Sequence, residues 1–368
     1  MQLQFLQKIF TTFTAIICAF GIPFNLLSFF IYTRPSFRNR SINILLAALS
    51  FSDLNCCLLT VPVFANSHLE NVLETYLIAC STFYLYPVII MFQSLSVWLL
   101  VSITIDRYLA VCHPFMVNTY CTKNRAFITV AFVMIFSFAY NFVRYWEFSI
   151  IKLDQFNRTG KPENYTVVPN DLIITNLREN TTFMLWYQNV ATLLSQFLLP
   201  LVVLCVLNLK VARTIMKASE QRRELVASVK REHSTAKMMI MVVIVFLVCY
   251  TFSFVLNVLE VFSPSIFQSD LGYFLNDVNN ILIIINSSSP FYFYYNYSTR
   301  FRNQARRLYF LKWCFSQDLN IYDTENATRS NMDTKFKESM VSLKGEASTN
   351  PTPTNRLSPQ MFTKPCNI

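Results

Sequence analysis

The stretch Ser102–Pro114 reads SITIDRYLAVCHP and closes a long uncharged run, Leu77–Ile105. Directly after that run Asp106, Arg107 and Tyr108 follow one another. An acid and a base at the end of a membrane-length apolar segment are costly unless the two charges pair and face protein or water. The stretch therefore predicts a charged site where a helix leaves a membrane.

Composition places the chain among membrane proteins. Of its 368 residues 53% are hydrophobic and only 14% are charged, whereas soluble domains carry about 25% charged residues. Ten cysteines occur without a single C-x-x-C pair, so the sequence predicts neither a zinc site nor a redox dithiol.

Seven stretches have the length and apolar character of membrane-spanning helices, which need about 20 residues. We number them spans 1 to 7: Ile9–Tyr32, Ile42–Asn66, Leu77–Ile105, Ala126–Val143, Asn180–Leu209, Met238–Leu259 and Val278–Thr299. They predict an all-α membrane protein, a seven-transmembrane helix bundle over residues 9–299. A short extracellular N-terminus, residues 1–8, is expected before it.

The charges of the connecting loops predict the orientation of the bundle. Loop 33–41, loop 210–237 and the segment after span 7 are rich in Lys and Arg, whereas the loops after spans 2 and 6 carry only acids. The positive-inside rule then places the N-terminus outside and the C-terminus in the cytoplasm, in the plasma membrane. Because topology accounts for the net charge of +10, no nucleic-acid partner is predicted. Three glycosylation sequons, at Asn157, Asn164 and Asn180, lie in or next to the long outer loop and favour the same orientation.

The segment after span 7 changes character twice. Residues 300–315 alternate basic and apolar side chains at helical spacing, which predicts a short amphipathic eighth helix on the inner membrane face. Cys314 is a candidate palmitoylation site, with an unmodified cysteine as the alternative. Residues 316–368 are rich in Ser, Thr, Asn and Pro and are predicted to form a disordered cytoplasmic tail.

An ordered set of motifs over roughly residues 10–315 resembles the rhodopsin-class (class A) G protein-coupled receptors. The motifs are Gly21-x-x-x-Asn25 in span 1, Leu46–Asp53 in span 2, Asp106-Arg107-Tyr108 with Ala110–Pro114 in span 3, Pro200 in span 5, Phe246-x-x-Cys249 in span 6, and Asn286-Ser287 with Tyr294 and Phe301 in and after span 7. The resemblance implies a non-enzymatic receptor that signals to a heterotrimeric G protein from within the lipid bilayer.

The resemblance also implies roles for individual residues. Arg107 pairs with Asp106 at rest and contacts the G protein when freed, and Tyr108 and Tyr294 belong to the same coupling site. A polar cluster is expected inside the bundle, and it resembles the sodium-linked cluster of the family. Its members are Asn25, Asp53, Ser96 and Asn286. A structural hydrogen-bond hub without an ion is the alternative, and no other cofactor is implied.

Three departures from the family pattern bear on the mechanism. Span 6 has Phe252 where the family has the proline of Cys-Trp-x-Pro, with Tyr250 in place of the tryptophan. Span 7 has Pro290 one residue earlier than usual, where it should still interrupt the helix. The outer loop 144–190 contains no cysteine to pair with Cys80, and the absence of this staple is expected to loosen the loop.

Segments along the bundle most resemble invertebrate FMRFamide-like neuropeptide receptors. They are Tyr84–Pro87, Gln93–Trp98, Tyr140–Glu147, Asn257–Glu260 and Asn286–Ser288. Ile89 and Ile284 stand where amine receptors and opsins carry their ligand-binding aspartate and lysine, which argues against those two ligand classes.

The resemblance implies a peptide ligand that ends in Arg-Phe-amide. Glu147 or Glu260 would pair with its arginine, because a planar guanidinium suits a carboxylate. The other expected ligand contacts are the aromatic side chains of Tyr86, Trp186 and Tyr187, the amide of Gln93, and Asp277 among the acids of the outer mouth. Three alternatives stay open: a chemosensory or orphan receptor for a small molecule, a transporter or channel, and a receptor of this fold that no longer couples.

Overall fold

The computed structural model describes residues 2–35, 37–64, 72–150, 172–221, 226–267 and 269–307. Spans 1 to 4 are the helices Gln2–Thr33, Ser41–Phe64, Val72–Cys112 and Lys123–Asn141. Span 5 combines Thr181–Phe183, Met184–Ala191, Leu193–Leu198 and Leu199–Gln221. Span 6 is Val226–Phe262, and span 7 consists of Asp270–Ser288 and Pro290–Tyr297. The shorter helices are Pro114–Met116, Val117–Tyr120, Phe142–Trp146, Asn176–Glu179, Pro264–Phe267 and Thr299–Arg307.

The predicted helical membrane bundle is confirmed. Within the described ranges six helices, those of spans 1 to 6, are long and apolar enough to cross a membrane. Their ends differ from the predicted ones, because polar residues extend a helix beyond its apolar part. The helix of span 1 begins at Gln2 and that of span 6 at Val226, both before the apolar stretches that were predicted to cross the membrane.

Span 7 is divided at Ser289, directly before Pro290. Proline has no backbone N–H, so it cannot donate to the carbonyl four residues earlier, that of Asn286. The Ser289 hydroxyl donates to this carbonyl instead, at 3.1 Å. The predicted interruption at Pro290 is therefore present, and a serine side chain compensates for the lost hydrogen bond.

Span 5 contains two π-helical stretches, Met184–Ala191 and Leu193–Leu198. Side chains reinforce this wider turn: Asn189 donates to the carbonyl of Met184 and Thr192 to that of Tyr187, each five residues back. Such turns change which side chains face the neighbouring helices, and they are frequent at functional sites.

A two-stranded antiparallel hairpin lies between spans 4 and 5 and was not predicted. Strand β1, Phe148–Ile150, pairs with strand β2, Leu172–Ile174, with Ser149 opposite Ile173. The connection between the strands carries Asn157 and Asn164 and lies outside the described residues, as do Cys314 and the tail. The third sequon residue, Asn180, is exposed, and its side-chain oxygen Oδ1 accepts from the N–H groups of Thr182 and Phe183.

The described part of the predicted eighth helix is Thr299–Arg307. Its apolar face buries Phe301 and Ala305. The Phe301 ring lies 5.2 Å from that of Tyr32 in span 1 and 5.8 Å from that of Tyr294 in span 7. These ring contacts hold the start of the eighth helix against span 1 and span 7.

Spans 1, 2 and 7 meet most closely at Gly21. A Cβ atom at this position would collide with the Ser288 hydroxyl and would lie 2.9 Å from the sulfur of Cys57. The Phe24 and Phe291 rings stack at 4.6 Å one turn further along the same interface. The hydrogen atom of glycine is therefore what allows these three helices to approach.

We predict that Gly21→Ala lowers the thermal unfolding midpoint of the full chain in detergent. Overpacking of this kind costs about 1–3 kcal/mol, whereas helix propensity alone would favour alanine by about 1 kcal/mol. Adding Ser288→Ala removes the nearest colliding atom and should recover part of the loss. An alanine variant as stable as the original chain would contradict the close approach.

Candidate functional site

The Asp106 carboxylate has a partner on each of its oxygens. Arg107 Nη2 donates to Oδ2 at 2.8 Å, and the Ser41 hydroxyl donates to Oδ1 at 2.5 Å. Asp106 is only 7% exposed, so both bonds are needed to satisfy a buried charge. The pairing of Asp106 with Arg107 agrees with the sequence prediction, but Ser41 was missed. Its only signal in the sequence is its position as the first residue of span 2, next to a basic loop.

The neighbours of Arg107 connect span 3 to span 5. The Tyr108 hydroxyl lies 3.0 Å from His113 Nε2, and the Lys210 ammonium sits 5.7 Å from the centre of the Tyr108 ring. The Cys112 sulfur lies 3.3 Å from the Thr214 hydroxyl. Arg107 keeps its Nε without a hydrogen-bond partner among the described residues. Asp106 therefore accepts a hydrogen bond from Nη2 of the guanidinium and not from Nε.

Cys121, in the connection between spans 3 and 4, also touches this site. Its thiol donates to the Asp106 backbone carbonyl at 3.8 Å. Burial raises the pKa of the Cys121 thiol to about 11, and the Asp106 charge adds to the effect. The thiol stays protonated at neutral pH and can act as the donor in this contact.

Tyr294 does not lie at the surface of this end. It is 2% exposed, and its ring packs edge-on against Tyr32 at 5.6 Å. As the bundle stands, Tyr294 positions span 7 against span 1 rather than facing a partner.

The polar cluster inside the bundle contains three of its four predicted members. Asp53 is 1% exposed and accepts from the Ser96 hydroxyl at 2.7 Å. Asn25 donates to the backbone carbonyl of Ser287 at 2.9 Å, and the Ser287 hydroxyl interacts with the Asp53 carboxylate.

Asn286 does not take the predicted place in this cluster. Across the described ranges its side chain makes no hydrogen bond to Asp53. Consecutive helix residues point about 100° apart, since 3.6 residues make a turn. Ser287 therefore occupies the position that the resemblance implied for Asn286.

At the opposite end of the bundle Glu147 forms the centre of an ionic cluster. The residue is 0% exposed. Arg144 Nη1 lies 3.3 Å from Oε1, and Arg178 Nη1 lies 3.0 Å from Oε2. Two guanidiniums of the chain itself thus surround the carboxylate that was expected to bind a ligand arginine, and no surface of Glu147 is left for another.

Glu260, at the end of span 6, differs from Glu147. Its side chain is 28% exposed, and its one ion pair among the described residues is with Arg178 Nη2, at 3.8 Å. Asp277 is partly buried in span 7 without an ion pair in the described ranges. Gln93 is likewise partly buried, and its amide makes no hydrogen bond to another described side chain or backbone group. Of the predicted polar ligand contacts, Glu260, Asp277 and Gln93 are therefore the ones open to a new partner.

Arg144 also organises the aromatic residues of this end. Its guanidinium lies 5.6 Å from the centre of the Tyr187 ring, an arrangement favourable for a cation–π contact. Tyr187 donates to the Tyr140 carbonyl at 2.7 Å, and Tyr86 is close enough to interact with Arg144 electrostatically. Trp186 is 62% exposed and does not join them. Adjacent positions of span 5 point to different sides, so only Tyr86 and Tyr187 remain as inner aromatic contacts.

The ends of the loop between spans 4 and 5 are fixed without a disulfide. The Thr175 hydroxyl donates to the carbonyls of Trp146 at 2.6 Å and Glu147 at 3.1 Å, and the Tyr145 hydroxyl reaches the Tyr84 carbonyl in span 3 at 3.4 Å. Cys80 is a free thiol. At these described ends, ion pairs and hydrogen bonds stand where the family has a covalent link.

Comparison with known proteins decides the family. Residues 24–289 match the family model of the 7 transmembrane receptor (rhodopsin family). The chain belongs to the rhodopsin family of seven-transmembrane receptors. The matched residues include both ends of the bundle described above, and they make the chain a multi-pass plasma-membrane receptor rather than a transporter or channel.

Individual relatives are receptors for peptides by name. The receptor is 30% identical to the FMRFamide peptide receptor frpr-18 of Caenorhabditis elegans, over 80% of this chain and 68% of that protein. It is 29% identical to the FMRFamide receptor of Drosophila melanogaster, over 86% of this chain and 57% of that protein. It is 23% identical to somatostatin receptor type 1 of Canis lupus familiaris, over 93% and 83% of the two chains. The match therefore spans little more than half of the Drosophila relative.

We predict that Ser41→Ala destabilises the receptor, whereas Ser41→Thr does not. The alanine variant leaves one oxygen of a buried carboxylate without its donor, and a hydrogen bond to a charged group contributes about 1.5–3 kcal/mol. Threonine keeps the hydroxyl that donates to Asp106. Thermal unfolding of the two purified variants, followed by tryptophan fluorescence, makes the comparison. Equal midpoints for the two would show that the Ser41 bond is not needed.

Proposed function

We propose that the receptor binds an amidated FMRFamide-like neuropeptide at the Glu260 end of the bundle and activates a heterotrimeric G protein at the Asp106 end. The observation that carries this proposal is the identity of about 30% to two FMRFamide receptors from different animals, over at least 80% of this chain. The small-molecule alternative has no such support among these relatives.

Glu260 is the ligand-binding acid in this proposal. It is the acid at this end whose carboxylate is both exposed in part and already placed against a guanidinium. A C-terminal Arg-Phe-amide would present a second guanidinium to it, in the planar geometry that carboxylates prefer. Gln93 offers an unused amide for the peptide terminus, and Tyr86 and Tyr187 offer ring faces for the phenylalanine.

Coupling is proposed to depend on the release of Arg107 from Asp106. Binding favours one of two arrangements of spans 5, 6 and 7, and the change exposes the arginine to the G protein. The Asp106 end is the cytoplasmic one in this proposal, since the basic loops follow the positive-inside rule. Asn157, Asn164 and Asn180 then lie outside as glycosylation sites, and Cys314 lies inside as a lipidation site.

A sodium ion beside Asp53 belongs to the same proposal. The carboxylate and the hydroxyls of Ser96 and Ser287 supply oxygen atoms, which hard cations prefer as ligands. In the described ranges no Lys, Arg or His forms an ion pair with Asp53. A lone buried carboxylate needs either a proton or a counter-ion, and the residues present fit the second choice.

The ligand and the coupling are tested together in cells that express the full chain. A library of amidated Arg-Phe peptides should include an agonist, and the same peptide with a free carboxylate should be at least about tenfold weaker, a difference of about 1.4 kcal/mol. Arg107→Ala should abolish G-protein activation while the labelled agonist still binds. Arg213→Ala, which removes an exposed base from span 5, is the matched control and should couple normally.

Two results would overturn parts of this proposal. If no peptide of the library activates the original receptor, its ligand is not an amidated Arg-Phe peptide. Full activation of the Arg107→Ala receptor would show that coupling does not depend on this arginine.

The sodium site has its own test. Agonist affinity is expected to fall when sodium chloride replaces choline chloride at equal ionic strength, because the ion stabilises the resting arrangement. Asp53→Asn should remove this dependence, and Asp270→Asn, which removes an exposed acid at the start of span 7, should keep it. Identical affinities of the original receptor in the two salts would leave the cluster as a hydrogen-bond hub.

A further inference from the structure

One arginine joins the two acids of the ligand end. Arg178 lies in the short helix Asn176–Glu179, between strand β2 and span 5. One of its terminal nitrogens is 3.0 Å from Glu147, and the other is 3.8 Å from Glu260. A guanidinium can do this because its donors form a rigid fork. The loop and span 6 are thereby connected through a single side chain.

The two contacts of Arg178 are unequal. Glu147 is fully buried, accepts a hydrogen bond from Arg178 and also pairs with Arg144. Glu260 is 28% exposed, and its contact is an ion pair at the longer distance. An ion pair open to water contributes little, whereas breaking a buried pair strands a charge. The contact with Glu260 is therefore the one that can be exchanged.

The position of Arg178 itself is fixed by its surroundings. Thr175, three residues earlier, bonds the Glu147 carbonyl through its hydroxyl and its N–H. The Arg178 N–H in turn donates to the Thr175 carbonyl at 3.0 Å. Loss of the Glu260 contact would consequently free span 6 and leave Arg178 in place.

We propose that Arg178 is an internal competitor of the ligand. It occupies Glu260 while the receptor is empty and holds the end of span 6 against the loop. A ligand guanidinium takes Glu260 over, and span 6 is released as Arg178 remains on Glu147. The competitor thus sets both the resting activity and the affinity for a cationic ligand. This inference rests on the proposed function, since it assigns a regulatory residue to the same site.

Two conservative substitutions separate the roles of the partners. Arg178→Lys keeps a cation for Glu147, but a single ammonium cannot hold both acids. It should raise ligand-free G-protein activation and lower the agonist concentration for half-maximal response about two- to fivefold, in line with an exposed pair. Glu260→Gln should also raise ligand-free activation, but it should weaken the agonist. Asp270→Asn removes an exposed acid of span 7 at the same end and should change neither quantity.

A measurement without ligand or G protein tests the contact itself. Unfolding midpoints of the purified full chain are compared for Arg178→Lys, Glu260→Gln and the double variant. Coupled residues give non-additive effects, so the double variant should lose less than the sum of the two single losses. Additive losses would overturn the proposal, because Arg178 and Glu260 would then not interact.

The signalling results discriminate the remaining cases. Equal ligand-free activity and equal agonist potency for Arg178→Lys and the original receptor would overturn the proposal, provided that an Arg-Phe-amide activates both. Non-additive unfolding in a receptor that no Arg-Phe-amide activates would instead contradict the proposed function and retain the contact. The two failures are therefore distinguishable.

Discussion

A carboxylate in an apolar bundle needs compensation for the water it has lost, and among the described residues three carboxylates are less than 10% exposed. Asp106, at 7%, uses the neighbouring arginine and the hydroxyl of Ser41. Glu147, at 0%, uses two guanidiniums. Asp53, at 1%, has hydroxyl groups and no cation from the described residues. In the proposed mechanism the three sites differ accordingly: the Asp106 pair opens, the Glu147 pairs hold the ends of the loop, and Asp53 takes an ion.

The sequence separation of the partners determines which parts of the receptor these pairs connect. Arg107 is adjacent to Asp106, so their pair joins no helices by itself, and it is Ser41 that joins span 2 to span 3. Arg178 is 31 residues from Glu147, and their pair closes the loop between spans 4 and 5. Buried pairs are screened little by salt, so this link is expected to persist at physiological ionic strength. In the proposed mechanism the described ends of this loop keep the pair of Arg178 with Glu147 while Glu260 changes its partner.

The features that the sequence predicts correctly are those that depend on residues close together in the chain. Apolar length gave the spans, and Pro290 gave the interruption of span 7. Helix ends escaped prediction: the start of span 6 carries charged residues such as Lys230, Arg231 and Glu232, and it continues the helix of the apolar residues that follow it. Pairings between distant residues escaped as well: nothing near Glu147 in the sequence indicates Arg178. Ser287 takes the position beside Asp53 that was expected for Asn286, one residue away along the helix. Only the packing of span 7 against its neighbours determines which of the two points towards Asp53.

Span 6 lacks the proline of the family pattern, and this difference bears on the contact between Glu260 and Arg178. Span 6 is one helix of 37 residues, Val226–Phe262, about 55 Å long at 1.5 Å per residue. A proline would remove one hydrogen bond and bend it at that point, whereas Phe252 leaves the ladder continuous. Tyr250 stacks on Phe246 at 4.5 Å along the same stretch. In the proposed mechanism a continuous helix carries a displacement of Glu260 to its far end, and the contact with Arg178 restrains that end without a pivot in between.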